Sequence, residues 1–548
     1  MTLVFLIGMT ILAVSIGALS MLPASASSWC RPSKLARLLI GLVAGLVVAC
    51  LYVFFASAGR LYPWNFETNY YNLLADGLRA GHLHLSVEPR PELLAMADPT
   101  DPEHQPLWLW DASLYHGHYY LYWGPVPSIL LAIIKSILRM NREVQDAFIV
   151  APFVFARLLV GAALLRAMAS HFSARAFSWT TMLAIAVLAF ANPTPYFLAR
   201  SAVYEVAIAS GQFFLVAGVF CAFRGLCASG LRSSRLWLAL AGASWGLSLG
   251  SRLPLASAVA PLVVLSAFAC WRIREQRLSS SAGSWLRGLK DLASTGVPVA
   301  ASLFLLGWYN HARFGSWTNT GIDYQLTWGK FSWNRSFIVA NLYSYFIRPL
   351  KLACGFPFLD APADWTSDLP KWIDFPQGYS WHESSAGIFV TAPWACLGAL
   401  GLVYLAILLI RRMVLRAKGR FVGGSVNWTI LFCVAAALVL AMAPCAAILG
   451  MWLATMRYQA DIGSGIMLLG AIGCWTWVHR TPWRSVRSVG VASCALLGAA
   501  TIIMGLLMGF RGYYNQFERH NPRLYEKFAR FNVCTPKQQP GTTNRMPL

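Results

Sequence analysis

Charge is the scarcest ingredient of this chain: of its 548 residues only 12% are Asp, Glu, Lys or Arg, about half of what a solvated globular surface needs. That deficit excludes an ordinary soluble protein and leaves lipid to cover most of the surface. Acids are rarer still, 22 against 44 basic residues. The 12 cysteines form no CxxC pair, so neither a thiolate metal site nor a disulfide framework is expected. There is no internal repeat, no low-complexity tract and no glycine-rich phosphate loop. No room remains for a soluble nucleotide-binding domain, so neither ATP nor a sugar nucleotide is expected as a direct substrate. The apolar run from Thr2 to Leu22 lacks the preceding cation of a signal peptide, which favours an uncleaved first span over a cleaved leader.

What is abundant is apolar sequence in blocks. Hydrophobic residues make up 57% of the chain, the mean hydropathy is +0.54, and about twelve blocks approach the roughly 20 residues that cross a bilayer as a helix. The expected fold is all-α, a polytopic transmembrane helical bundle of about twelve spans with a large extracytoplasmic first loop. Residues 1–35 form an extra N-terminal span and a basic cytoplasmic loop, 36–310 a transmembrane core, 311–385 a second extracytoplasmic loop, 386–510 the C-terminal helices, and 511–548 a polar, extracytoplasmic tail.

Every second connector is basic, for example Arg224, Arg232 and Arg235, or Arg272, Arg274, Arg277, Arg287 and Lys290. Short loops rich in Lys and Arg stay cytoplasmic, so the net charge of +22 is mainly a topology signal. The cations form no continuous groove, and no nucleic-acid partner is expected.

The alternate connectors then face outward, and the long one from Ala58 to Gly124 holds 8 of the 22 acids and 5 of the 10 histidines. Long loops of this kind carry function. Its first part, Asn65 to His82, has an amphipathic helix pattern led by Glu67. Glu67 is either a helix cap favoured by the dipole or a general base or metal ligand at the bilayer surface. The loop returns through Asp111 into Gly117, Tyr119, Tyr120, Trp123, Pro125 and Pro127. These aromatics are interfacial anchors, a sugar-stacking platform, or both. The apolar stretch Val126 to Met140 is too short to span and reads as a re-entrant or interfacial helix.

This order of features resembles the GT-C superfamily of membrane glycosyltransferases, in particular the protein O-mannosyltransferase and lipid A aminoarabinose transferase branch. The residues that carry the likeness are Glu67 and Tyr70, then Gly81, then Gly117, Tyr119 and Tyr120, then Pro125 and Pro127. Phe66 precedes a lone Glu67 where that branch has an Asp or an acidic pair, which keeps Asp111 in play as the base. Arg200 with Glu205 looks like the branch's second acidic position, and Arg457-Tyr458 like an element preceding a late span. Glu205 alternatively forms a local ion pair with Arg200.

The resemblance implies an inverting transfer of a sugar from a polyprenyl-phosphate donor to an extracytoplasmic lipid, glycan or protein acceptor. Glu67, Asp111 and Glu205 are the catalytic candidates. Tyr70, Tyr119, Tyr120, Trp123, Arg200, Arg252 and Arg457 are the binding candidates, the arginines for a phosphate or for anionic headgroups of the surrounding membrane lipids. No cofactor is certain; a divalent cation held by a carboxylate, or by the pairs His82/His84 and His116/His118 near Asp111, is the open alternative. A lipid-linked glycan flippase or transporter and a non-catalytic subunit of envelope glycan assembly are the competing classes. The expected location is a bacterial inner membrane.

Overall fold

The computed structural model describes residues 34–61, 68–175, 178–278, 284–327, 329, 331–361, 370–379, 383–417 and 427–530. The expected first span, Glu67 and the end of the tail lie outside the described residues. The fold is a helical bundle: α1 (Lys34–Ala56), α2 (Tyr70–Arg79), α3 (Val126–Ile137), α4 (Ala147–Ala169), α5 (Trp179–Phe190), α6 (Val203–Cys227), α7 (Leu231–Leu249), α8 (Ala256–Leu278), α9 (Ser284–Phe314), α10 (Ala395–Ala417), α11 (Trp428–Met442), α12 (Ala460–Arg480) and α13 (Arg484–Arg511). Among the described residues eight helical stretches are long and apolar enough to cross a bilayer, fewer than the twelve expected. Helices also form at α1, α7 and α10, but α7 opens on the polar run Leu231-Arg232-Ser233-Ser234-Arg235, which lowers its mean hydropathy.

Burial separates a centre from a rim. In the apolar 18-residue stretch of Met456–Arg480, 89% of the residues are buried inside the protein, whereas in that of Trp285–Phe314 only 17% are, and this helix offers its face to lipid. Helix α12 packs against α10 and α11, and the contact is made by small residues, as between helices in a membrane. A Cβ on Gly473 would lie 2.0 Å from the Leu397 carbonyl oxygen. Gly473→Val is therefore expected to lower the yield of folded protein and its Tm in detergent, since overpacking costs about 1–3 kcal/mol or more.

The two ends of the bundle differ in chemistry. At one end the buried Asp291 takes Arg274 at 2.7 Å and Arg235 at 3.3 Å, residues of the connectors read as cytoplasmic. The other end carries the two long loops. The first loop contains α2, a hairpin of β1 (Ser113–Tyr115) and β2 (His118–Tyr120), and then α3. The hairpin turn is His116-Gly117, both with positive φ, 47° and 77°, the backbone of a tight primed turn. Helix α3 has 12 residues, too few to span, as expected, and the buried Lys135 fixes it to α2 through Asp76 and Asn72, both at 2.8 Å. The anticipated helix from Asn65 to His82 is observed over Tyr70–Arg79. In the tail, Asn521 donates to the Ala58 carbonyl at 2.8 Å and Tyr525 to that of Phe356 at 2.9 Å, so its first part folds back onto the same end.

Candidate active site

Asp111 stands at the root of the hairpin, and three sets of contacts place it there. Its own backbone is left-handed, with φ 62°, a conformation that Asp and Asn adopt more readily than other non-glycine residues. The second loop supplies a short edge: Asp111 N donates to Leu326 O at 3.0 Å and Leu326 N to Ala112 O at 2.9 Å. The two preceding residues are held by tyrosine hydroxyls, Trp110 O by Tyr70 and Leu109 N by Tyr119 at 3.4 Å. Tyr70 and Tyr119 are buried and so form the shelf that presents Asp111. Tyr120 is half-buried, edge-on to Phe314, and Trp123 is buried between Tyr122 and Tyr204. Arg313, at the end of α9, secures the outgoing strand through Leu121 O at 2.7 Å.

Asp111 is 8% exposed. Gln325 donates to its Oδ1 at 2.8 Å, and the Tyr204 hydroxyl is a further hydrogen-bond partner. Burial pushes its pKa above the ordinary carboxylate value of 3.8, while Tyr204, Arg457, Gln325 and Arg200 each pull it down less strongly. Burial thus disfavours the charged carboxylate, and its neighbours favour it.

Arg457, just ahead of α12, closes the other side. Its guanidinium lies 4.2 Å from the ring centre of Tyr204 and 5.4 Å from that of Tyr513, and one nitrogen bonds Glu383 at 2.9 Å. The side chain is 5% exposed, yet Nε and Nη1 are buried with no hydrogen-bond partner among the described residues. Leaving two charged donors unsatisfied is costly, and an anion would satisfy them. Arg200 rests on the Tyr513 ring at 4.3 Å. Glu205 is buried at the start of α6, its Oε2 accepting from Ala202 N at 3.2 Å, and it acts electrostatically on Arg457.

Arg252 is placed differently from these two arginines. Its Nε and Nη2 form a bidentate pair with Asp461, at 2.8 and 2.5 Å, with both residues buried. The pair joins the α7–α8 turn to the first turn of α12, and its fork is turned to Asp461, where the sequence suggested a phosphate. The acids at the crevice do not gather in threes as metal ligands would; the one such group among the described residues is His84, Glu88 and His118. Residue 118 is about 13 Å along the hairpin from Asp111 at strand rise, so the histidine nitrogens expected near Asp111 are not beside it.

Sequence reasoning passed over Tyr122, Tyr204, Gln325 and Glu383. It also passed over Arg157, which is buried within α4 and donates to Thr194 Oγ1 at 2.9 Å; a lone cation inside an apolar span was the signal for it. Tyr204 adjoins Glu205 and could have been found there. Gln325 and Glu383 come from another loop and carry no local signal.

No protein-family model and no curated protein matches this chain. Among solved structures, it is similar to the oligosaccharyltransferase of Archaeoglobus fulgidus in the apo form, with a TM-score of 0.44 at 14% identity over 88% of this chain and 57% of that one. It is similar also to the same organism's oligosaccharyltransferase AglB in complex with an inhibitory peptide and a dolichol-phosphate, with a TM-score of 0.42 at 14% identity over 92% and 61%. The chain thus spans roughly three-fifths of the length of these proteins.

Proposed function

We propose that the chain is an integral membrane glycosyltransferase that moves a sugar from a polyprenyl-phosphate-linked donor to an extracytoplasmic acceptor, with inversion. The observation that carries the reading is a buried Arg457 with two guanidinium donors that have no hydrogen-bond partner among the described residues, near enough to the buried Asp111 to act on it electrostatically. Arg457, with Arg200 behind it, holds the phosphate that leaves; guanidinium forks match phosphate oxygens. Asp111 removes the acceptor proton as the sugar–phosphate bond breaks. Tyr70 and Tyr119 act as positioning residues through Trp110 and Leu109. Glu67, as a second base or the holder of a divalent cation, and Glu205, as a neighbour that orients Arg457, complete the proposed set. Tyr120 and Trp123 complete the set as sugar-binding aromatics. Arg252 has a structural part through Asp461. The location we infer is a bacterial inner membrane, with the crevice outside.

The reading is tested with purified protein in liposomes carrying a polyprenyl phosphate labelled in the sugar. Sugar should leave the lipid, and free polyprenyl phosphate should accumulate. Label that crosses the bilayer still attached to its lipid would instead support a flippase. That second reading has one observation in its favour, the buried Arg157 inside α4, because transporters place ionisable groups within the membrane.

Two smaller effects follow. Tyr70→Phe and Tyr119→Phe should each lower kcat about tenfold with little change in donor KM, as misplacing a base by a fraction of an ångström does. The pH dependence has a worked sign. The acceptor of a proton must be ionised, and the folded pKa of Asp111 lies above 3.8, so kcat should fall as pH drops through that raised value. The same shift means that Asp111's contribution to stability is complete below the unfolded value and is lost as pH rises through the folded one. Activity should therefore rise with pH over a range where the Asp111 contribution to Tm declines, and pH–rate and pH–Tm profiles measured together check this.

A further inference from the structure

We infer a zinc-class divalent metal site in the first outer loop, formed by His84, Glu88 and His118 and separate from the crevice at Asp111. One ligand atom from each of the three lies within 4.8 Å of the others. Nitrogen and oxygen donors around a tetrahedral ion at about 2.1 Å stand roughly 3.4 Å apart, so the set needs a closure of up to about 1.4 Å. Glu88 already stands 3.5 Å from His118 and its side chain is 70% exposed and free to turn, so the remaining closure falls on His84.

Proximity alone would not distinguish this from an ion pair, and two further features point to a metal. The Nδ1 of His84 lies 3.0 Å from the Leu85 carbonyl oxygen. A ring N–H donated to a backbone carbonyl fixes the tautomer that leaves Nε2 with its lone pair outward, the usual arrangement of a metal-ligating histidine. The Nδ1 of His118 is buried without a hydrogen-bond partner, although Glu88 Oε2 is 3.5 Å away. The backbone, meanwhile, is already in register. Leu85 N donates to Tyr119 O at 2.8 Å, which sets the 84–88 segment alongside β2; the rings of His84 and His118 are stacked at 4.3 Å, so one of them turns out of the stack when both nitrogens take the ion.

Two imidazoles and a carboxylate suit zinc-class ions over magnesium or calcium, which take oxygen. Bound there, the ion ties the 84–88 segment to the hairpin that ends on the Asp111 shelf. This role is structural and independent of what the crevice transfers.

The test uses the full-length, tag-free chain in detergent, stripped with a chelator and titrated with zinc chloride. Wild type should take up one zinc per chain with micromolar or tighter affinity, and zinc should raise its Tm. His84→Ala and His118→Ala should each weaken binding at least about tenfold, and Glu88→Gln, a change at an exposed side chain, should weaken it without altering the metal-free Tm. His104→Ala should bind as wild type does, because His104 sits in a separate turn on Asp98 O at 2.9 Å. Sub-stoichiometric uptake, or equal affinity in wild type and both histidine variants, would overturn the site.

Discussion

Asp111→Asn is expected to slow sugar transfer about 10²- to 10⁴-fold, the range that a positioned general base contributes, while leaving the fold and donor affinity unchanged. Asn is the informative substitution because it tolerates the left-handed backbone at this position, where φ is 62°, and keeps an oxygen for Gln325, which donates at 2.8 Å. Alanine would add backbone strain and leave Gln325 and Tyr204 unpaired, confusing a folding defect with a chemical one. If transfer by Asp111→Asn matches wild type while Glu67→Gln is inactive, the base is Glu67 and Asp111 only shapes the pocket. Turnover measured at saturating donor, with Tm as the control, separates these outcomes.

The second large effect concerns stability. Arg252→Ala should destabilise the protein by about 3–5 kcal/mol, because it leaves the Asp461 carboxylate buried and uncompensated. The double change Arg252→Leu with Asp461→Leu should recover much of that loss, since a buried pair replaced by apolar groups is often neutral. Were Arg252 instead a phosphate ligand, Arg252→Ala would raise donor KM with an unaltered Tm. Thermal unfolding of the purified variants, followed by size exclusion, distinguishes the two.

These two residues also illustrate what a sequence gives away. Hydropathy blocks locate helices because the bilayer imposes a length and forbids unsatisfied backbone, so α4, α6, α11 and α13 could be read directly. The short α3 was legible for the same reason, being too brief to span. Asp111 was visible as an acid in an aromatic loop, but its partners were not. Gln325 and Leu326 reach it from the second loop, more than two hundred residues away, through a single edge contact. The pairing of Arg252 with Asp461 is likewise long-range, and nothing local separates it from a phosphate-binding arginine. The tyrosines of the Gly117-x-Tyr-Tyr element suggested a sugar platform, since composition reports aromatic faces and says nothing about which way they turn. Of these, Tyr119 turns inward to Leu109, and Tyr70, from the preceding helix, turns likewise to Trp110. His116 and His118 looked close to Asp111 in sequence, yet an extended strand separates residues at about 3.3 Å each, and the hairpin carries His118 away from the carboxylate.

The most direct measurement of the central claim is release of polyprenyl phosphate from a sugar-linked donor presented to the face that bears Asp111 and Arg457, using protein of known orientation in liposomes. Wild type should release it, whereas Asp111→Asn should bind donor without releasing it and Arg457→Gln should lose donor affinity as well as turnover. Equal release by all three proteins, or release only when donor is supplied from the opposite face, would contradict the account.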